Sequence, residues 1–532
     1  MPNLSRRQFL AVGGTLAASA FFPGGIHEAA YAAVEGIDEY TLRVGYAEKT
    51  LGQFRLRTRS YNGNIPGPLM VTRPGHTLRV KLVNNLPSDP PATAPPGIDP
   101  FNNPHAFNTT NLHMHGLQVI PHLFDPIGTV DPAAPMLAVK PGQSFSYEFK
   151  LPDDQPSGLY WYHPHYHGST DTQVVNGMAG LVLVKGPIDE VPEIAAARDE
   201  LLAIQNLKIE PLAGGRWGFD PVAYLPASAG GYTPETGVEL ITANGSPIMV
   251  IDRRGPKAVT TPQTLPVYKM RPGEVMRLRI LNGTDGLFLL LTLPGFEVYV
   301  IGQDGINLLK PERAAEDLKT SIRMAPGNRN EILIKAPAAP TRGVLRALAQ
   351  MPGSPQLLSE VMGEMMASPQ IEIAAFDVAG DPKPMAIPAS LPTPTREYPL
   401  IADSEITGRH TVTFTMTTGS KRIIDGYEYL VDGVLYQEEK VDPTVKIGNV
   451  EEWKIVNNSD GAHPFHIHVN SFEVMGLPWD PGYRRLHDTV WVAPFSTLTM
   501  RTRFKTWKGK TVYHCHVLPH EDSAMIKNFL IL

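Results

Sequence analysis

The sequence predicts an all-β protein made of three related β-sandwich or Greek-key domains, and three observations carry that prediction. Short segments alternating apolar and polar residues, Thr77 to Val83, Ser144 to Phe149, Arg277 to Leu281, Glu452 to Val456 and Thr497 to Phe504, lie between Pro, Gly and Asn turns. The 532 residues include 51 prolines, nearly twice the usual share of about 5%. Proline is excluded from helix interiors and central strands, so its abundance marks many loops between short strands. Finally, Arg73-Pro-Gly-His-Thr-Leu-Arg-Val-Lys-Leu-Val-Asn84 aligns without gaps to the stretches Arg271 to Asn282 and Lys446 to Asn457. An Asn-Gly or Asp-Gly turn precedes every copy (Asn62-Gly63, Asn244-Gly245, Asp432-Gly433), and the copies are a domain length apart.

Taken in order, residues 1–32 read as an export signal. Ser5-Arg6-Arg7-Gln8-Phe9-Leu10 precedes a small apolar run from Ala11 to Phe22 and an Ala30-Tyr31-Ala32 cleavage site, which resembles a twin-arginine signal. This predicts use of the twin-arginine export machinery and a periplasmic or secreted protein. No stretch approaches the ~18 apolar residues of a membrane span, so stable membrane insertion is not expected. Residues 33–188 form the first domain and 189–379 the second. Residues 380–532 hold a Pro-rich linker (Gly380 to Pro399) and the third domain. A net charge of -6 without Lys/Arg runs argues against nucleic-acid binding. A lone cysteine excludes internal disulfides and cysteine-cluster zinc or iron–sulfur sites.

Against that one cysteine stand 17 histidines. Random placement predicts roughly 0.5 His-x-His pairs, too few for a multinuclear site. The sequence has His113/His115, His163/His165, His165/His167, His466/His468 and His514/His516. On a strand, residues i and i+2 share a face, so each pair offers two imidazoles to one place. Gly158 to His165 matches Gly509 to His516, and the upstream pairs precede them by nearly equal intervals. Domains one and three therefore carry equivalent paired ligands, and domain two, with no histidine between Gly168 and Arg409, carries none. The economical arrangement is a polynuclear metal cluster between domains one and three, with domain two acting as spacer.

The third domain adds Cys515, whose sulfur on a strand points opposite to His514 and His516. With His463, His520 and Met525 it makes a His₂Cys set with a weak thioether, the ligand chemistry of a blue-copper centre. The aligned positions in domain one, Thr110, Pro164, Ser169 and Val174, supply no equivalent. One strand thus serves two metal sites.

His113-Met-His115-Gly, Trp161-Tyr-His163-Pro-His165, His463-Pro-Phe-His466-Ile-His468 and His514-Cys-His516 with His520 and Met525 resemble the four copper signatures of the multicopper oxidases, of the three-domain bacterial laccase or copper efflux oxidase type. The resemblance implies three cupredoxin-like domains and four copper ions, one mononuclear blue copper and one trinuclear cluster. It implies that His463, Cys515, His520 and Met525 hold the mononuclear ion and that His113 and His466 hold one member of the cluster. His115, His163 and His516 then hold a second, and His165, His468 and His514 the third. The implied activity is one-electron oxidation of phenols or aromatic amines, coupled to four-electron reduction of dioxygen to water. Glu521 matches the family's buried proton-relay carboxylate, and Asp125 is the candidate second acid, with Asp131 competing. Met525 as the axial ligand implies a mononuclear potential low in the family's range. Cu(I) is the alternative reductant, for which Met362, Met365 and Met366 form a small thioether cluster also compatible with ordinary packing. A non-catalytic cell-envelope relative is the remaining alternative, opposed by the complete ligand set. A copper nitrite reductase is disfavoured, because its site does not need these His-x-His pairs. His76, His105, His122, His410 and His487 read as surface or hydrogen-bonded residues, and His167 as a neighbour of the ligands.

Overall fold

The computed structural model describes residues 32–34, 36–89, 99–219, 237–255, 257–314, 322–348, 370–418, 427–478 and 480–532. Residues 1–31 of the expected export signal and the Met362, Met365 and Met366 cluster lie outside them. The repeated sequence behaves identically three times. Thr77–Asn84, Val275–Asn282 and Val450–Asn457 each run parallel to an upstream strand, Ile37–Leu51, Arg198–Leu212 and Gly408–Thr418. Each also runs antiparallel to a downstream one, Ser144–Lys150, Arg329–Lys335 and Thr497–Arg503.

A second sheet covers each of these ladders. In the first unit it orders Gly67–Thr72, Gly180–Val184, Gly158–His163 and His113–His115. In the third it orders Val441–Val445, Ile526–Ile531, Gly509–Cys515, His463–Ile467 and Thr489–Val492. The three units have separate hydrophobic cores, around Leu78, Val80 and Leu82 in the first, Leu278 and Ile280 in the second, and Trp453 and Ile455 in the third.

Local chemistry explains the repeats. At each Asn/Asp-Gly turn both residues have positive φ, 54° and 73° at Asn62-Gly63, 50° and 78° at Asn244-Gly245, and 53° and 77° at Asp432-Gly433. That pair of left-handed residues matches the right-handed twist of a hairpin. The asparagine ending each repeated strand staples the unit internally. The Asn84 Nδ2 donates to the carbonyls of Asn108 and Val139 at 2.7 and 2.8 Å. Asn282 reaches Leu287 and Met324 at 2.8 and 3.1 Å, and Asn457 reaches Gly461 and Ala493 at 2.7 and 3.1 Å. Each Oδ1 in turn accepts the N–H two residues on, from Leu86, Thr284 or Ser459.

Burial differs where units dock. Thr77–Asn84 and Val450–Asn457 alternate buried and more exposed residues, whereas every residue of Val275–Asn282 is buried. Its Leu281 joins Leu159 and Trp161 of the first unit in a shared apolar cluster. Arg277 and Arg279 on the same strand pair with Asp189, Asp199 and Glu331. The first and third units meet through Leu123, Phe124, Met136, Tyr436 and Val512. There the Lys510 ammonium donates to the carbonyls of Pro132, Ala134 and Glu438.

Removing one asparagine staple tests this account. Asn282→Ala withdraws both donated hydrogen bonds and the acceptor of Thr284, leaving buried groups unsatisfied, so the unfolding free energy should fall by about 2–3 kcal/mol in a denaturant titration.

Candidate metal centre

The first and third units each build half of one site with the same strand pair. His113–His115 pairs with Gly158–His163, bringing His113 opposite His163. In the third unit His463–Ile467 pairs with Gly509–Cys515, bringing His466 opposite His514 and Phe465 opposite Cys515. The chain just past each strand is held by hydrogen bonds. The His165 N–H donates to Asn111 Oδ1 at 2.6 Å and the His516 N–H to the Pro464 carbonyl at 2.8 Å.

Facing each other, the halves place buried ligand atoms in groups within 4.8 Å of one another: His113, His115 and His466; His115, His163 and His516; His165, His468 and His514; and His463, Cys515 and His520. Each group except the last combines residues of the first and third units.

The outer nitrogens explain why the inner ones converge. Nδ1 of His163, His514 and His466 lies 2.8, 2.9 and 2.7 Å from the carbonyls of Pro164, Cys515 and Asp488. A carbonyl only accepts, so these Nδ1 atoms carry the proton and each Nε2 keeps a lone pair. His113 is oriented through another histidine. His122 Nδ1 donates to the Ile120 carbonyl, and its Nε2 faces both His113 Nδ1 and the Met114 N–H at 3.2 Å. His115 is reversed: its Nε2 lies 3.1 Å from the Asp488 carboxylate and its Nδ1 faces His516 Nε2 at 3.3 Å.

The inward atoms lack ordinary partners. Nε2 of His113, His163 and His466 has no hydrogen bond, and His514 Nε2 faces His165 Nε2 and His468 Nε2, each at 3.1 Å. Burial and neighbouring imidazoles hold His113, His115, His165, His466, His468 and His516 well below the usual histidine range. Burial takes His163 and His463 down to about 3. Neutral imidazoles with convergent, unpartnered lone pairs fit a soft to borderline transition metal such as copper.

The fourth group is of another kind. Cys515 Sγ lies 3.4 Å from His463 Nδ1 and 3.7 Å from His520 Nδ1, and the two nitrogens are 3.2 Å apart. Met525 is buried in the same core as Cys515. Its N–H donates to the His520 carbonyl and its carbonyl accepts the Cys515 N–H. The Val517 N–H points at the sulfur at 3.4 Å. Burial pushes the thiol well above its ordinary range, so only a bound cation makes the thiolate stable there. The other ring nitrogen of His463 is held by Ser459, whose Oγ is 2.8 Å from His463 Nε2.

Two expectations are corrected. Asp125 and Asp131 are both exposed, so neither is a buried acid. Besides Glu521, the carboxylate that touches these histidines is Asp488, which lies against His115 and is itself held by both terminal nitrogens of Arg329 at 2.8 and 2.6 Å. Arg329 belongs to the second unit, which is therefore more than a spacer. A β-carbon on Gly327 of that unit would lie 3.0 Å from the His516 ring and 3.2 Å from the His115 ring. Only a glycine, here at φ 90°, lets its backbone come so close.

Glu521 is fully buried, with its oxygens 3.3 Å from His165 Nδ1 and 3.1 Å from His514 Nδ1. Neither oxygen has a well-aligned hydrogen bond. His167 Nε2 donates to Asn102 Oδ1 at 3.2 Å, and the ring packs on Phe101 and Tyr436. The remaining histidines are hydrogen-bonded, His76 to Asp38, His105 to the Asn103 carbonyl and His487 to Asp304 and Tyr483, while His410 lies beside Glu451. His122, Asp488 and Arg329 were not singled out for the site by the sequence, because nothing in their local spacing distinguishes them.

Comparison with known proteins agrees with this geometry. Two family models, each described as multicopper oxidase, match residues 97–188 and 405–532. The chain is 25% identical over 504 residues to a multicopper oxidase of Staphylococcus aureus, covering 92% of this chain and 88% of the relative. It is 23% identical over 500 residues to a laccase of Bacillus subtilis, covering 88% and 89%. Its fold is similar to that of a multicopper oxidase from Campylobacter jejuni described as a metallo-oxidase, with a TM-score of 0.68, 23% identity and 96% of each chain covered.

The depressed histidines set a pH dependence. In the unfolded chain histidine titrates near 6.5, whereas the folded groups stay neutral, so below pH 6.5 only the unfolded state gains protons. Each such histidine therefore lowers stability progressively as the pH falls below 6.5. Metal-stripped protein should therefore show a denaturation midpoint that falls steadily from pH 7 to pH 5.

Proposed function

Because the chain belongs to the multicopper oxidase family, we propose that it is a laccase-like oxidase taking single electrons from phenols or aromatic amines and reducing dioxygen to water. The observation that carries this reading is the set of convergent, partnerless imidazole nitrogens beside a buried His₂Cys group on the same strand. Four copper ions fit the groups: His463, Cys515, His520 and Met525 for one, and His113 with His466 for another. His115, His163 and His516 would hold the third, and His165, His468 and His514 the fourth. When bound, copper supplies one-electron chemistry between +1 and +2, so that electrons taken singly are delivered to dioxygen as a set of four.

The chain's own residues set the route and the protons. Cys515 presents its sulfur to His463 and His520 while its peptide neighbours, His514 and His516, face the other groups, which makes it the shortest covalent path between the two sites. Reduction of one dioxygen to two waters consumes four protons. Glu521, buried against the outer nitrogens of His165 and His514, is placed to hold a proton at its carboxylate on the rim of the cluster. Arg329 and Asp488 fix His115 so that its Nδ1 faces inward. A cleft between the second and third units reaches Asn328 and Thr489, and the Thr489 hydroxyl is 3.1 Å from His466 Nδ1.

Residues 1–32 support export by the twin-arginine machinery to the periplasm or beyond. Replacing Arg6 and Arg7 by lysine should leave the protein in the cytoplasm on cell fractionation.

Metal analysis of the purified protein should give four coppers with an absorption band near 600 nm, and oxygen uptake with a phenol. Uptake with Cu(I) alone would replace the organic-substrate reading by the cuprous one, and absence of copper would remove both. Cys515→Ser should lose the band and the turnover together while the fold persists. Glu521→Gln should keep the copper and the band but lower kcat by about 10²-fold, with the loss deepening as pH rises.

A further inference from the structure

We propose that Phe495 is the docking platform for the organic reductant, stacking a planar phenol or aromatic amine beside the group formed by His463, Cys515 and His520. This rests on the laccase-like reading and names the residue that binds its substrate class. The observation is a departure from the chain's own internal repeat. In every unit a Pro-X turn leads into the strand that pairs with the repeated one: Pro141-Gly142, Pro326-Gly327 and Pro494-Phe495. The first two have glycine at φ 83° and 90°, and the third has phenylalanine at φ 47°. A left-handed conformation is strained for a bulky side chain, and strain retained against an available glycine solution marks a functional position.

The strained turn also changes its hydrogen bond. The N–H groups of Gly142 and Gly327 donate to the carbonyls of Asn84 and Asn282, each at 2.8 Å. The Phe495 N–H instead reaches past Asn457 to the Ser459 carbonyl at 3.2 Å. Ser459 is the residue whose hydroxyl holds His463 Nε2 at 2.8 Å. Phe495 is therefore one residue away from a ligand of the mononuclear centre, while its ring is 67% exposed, more than any other large apolar side chain among the described residues. Asn458 and Asp460, on either side of Ser459, are also exposed, so exposed polar residues flank the residue to which the Phe495 backbone is bonded.

An exposed aromatic face on a turn bonded to a polar segment suits a flat ring that carries a hydroxyl or amine. A phenol docked there loses one electron inward to the mononuclear group and its hydroxyl proton to solvent, and leaves as a phenoxyl radical. Four such events match one dioxygen and the four protons of two waters. A compact inorganic reductant gains nothing from the ring.

The test uses the copper-loaded full chain and oxygen uptake with hydroquinone and with hexacyanoferrate(II). Phe495→Gly restores the residue of the other two repeats and relieves the left-handed strain, so the variant should melt no lower than the parent and keep its 600 nm band. Its KM for hydroquinone, relative to that for hexacyanoferrate(II), should rise about three- to tenfold. Phe495→Tyr, which keeps the aromatic face, should retain the parent ratio. Val434→Ser, which removes an apolar side chain that is 51% exposed elsewhere on the same unit, should also leave the ratio unchanged. An unchanged ratio in Phe495→Gly, or an equal rise in Val434→Ser, would overturn the proposal. If the parent protein itself consumes oxygen with Cu(I) but not with hydroquinone, the laccase-like reading fails first and the docking platform with it.

Discussion

A buried imidazole has two ring nitrogens, and what the outer one touches decides what the inner one offers. That constraint organises this protein. Backbone carbonyls at Pro164, Cys515 and Asp488 take the protons of His163, His514 and His466. His122 does the same for His113, and Asp488 reverses the arrangement for His115. The acceptors are carbonyls of strand ends and a few fixed side chains, so tautomers at the centre are set by the ladders that form the sandwiches. Fold and chemistry are joined at the level of single hydrogen bonds.

The second unit contributes to the site although none of the candidate metal groups among the described residues includes its side chains. Its Arg329 is fully buried and bonded to Asp488 by both terminal nitrogens, and Asp304 lies on its backbone N–H and on His487. Buried ion pairs contribute little net stability because desolvation offsets attraction. What this one contributes is direction: it keeps a carboxylate of the third unit aimed at a histidine of the first. Gly327 brings the same unit's backbone against the His115 and His516 rings, so it also closes one wall of the site.

Much of this was legible in the sequence. The His-x-His pairs needed only the two-residue strand period, and the equivalence of domains one and three followed from motif spacing. The Asn/Asp-Gly turns and the strand-ending asparagines have the same geometry in every copy, because the same local chemistry dictates them. Its distance to His113 along the chain makes Asp125 a candidate acid. Its neighbour Phe124 takes the inward position and packs between the first and third units, which leaves Asp125 outside. Asp488 could not be found that way, since its contact with His115 spans 373 residues. His122 and Phe495 carry no motif, and each acquires meaning only from what the fold sets beside it.

The facing nitrogens of His165, His468 and His514 have a consequence for assembly. Nitrogens from both units converge there, so a cation bound among them is held by both at once. The ligating atoms come from two units, so filling the site and drawing the units together are one event. By mass action, the binding of metal ions becomes a clamp on the interface between the first and third units, and the tightness of the whole molecule is tied to the ions available where it matures.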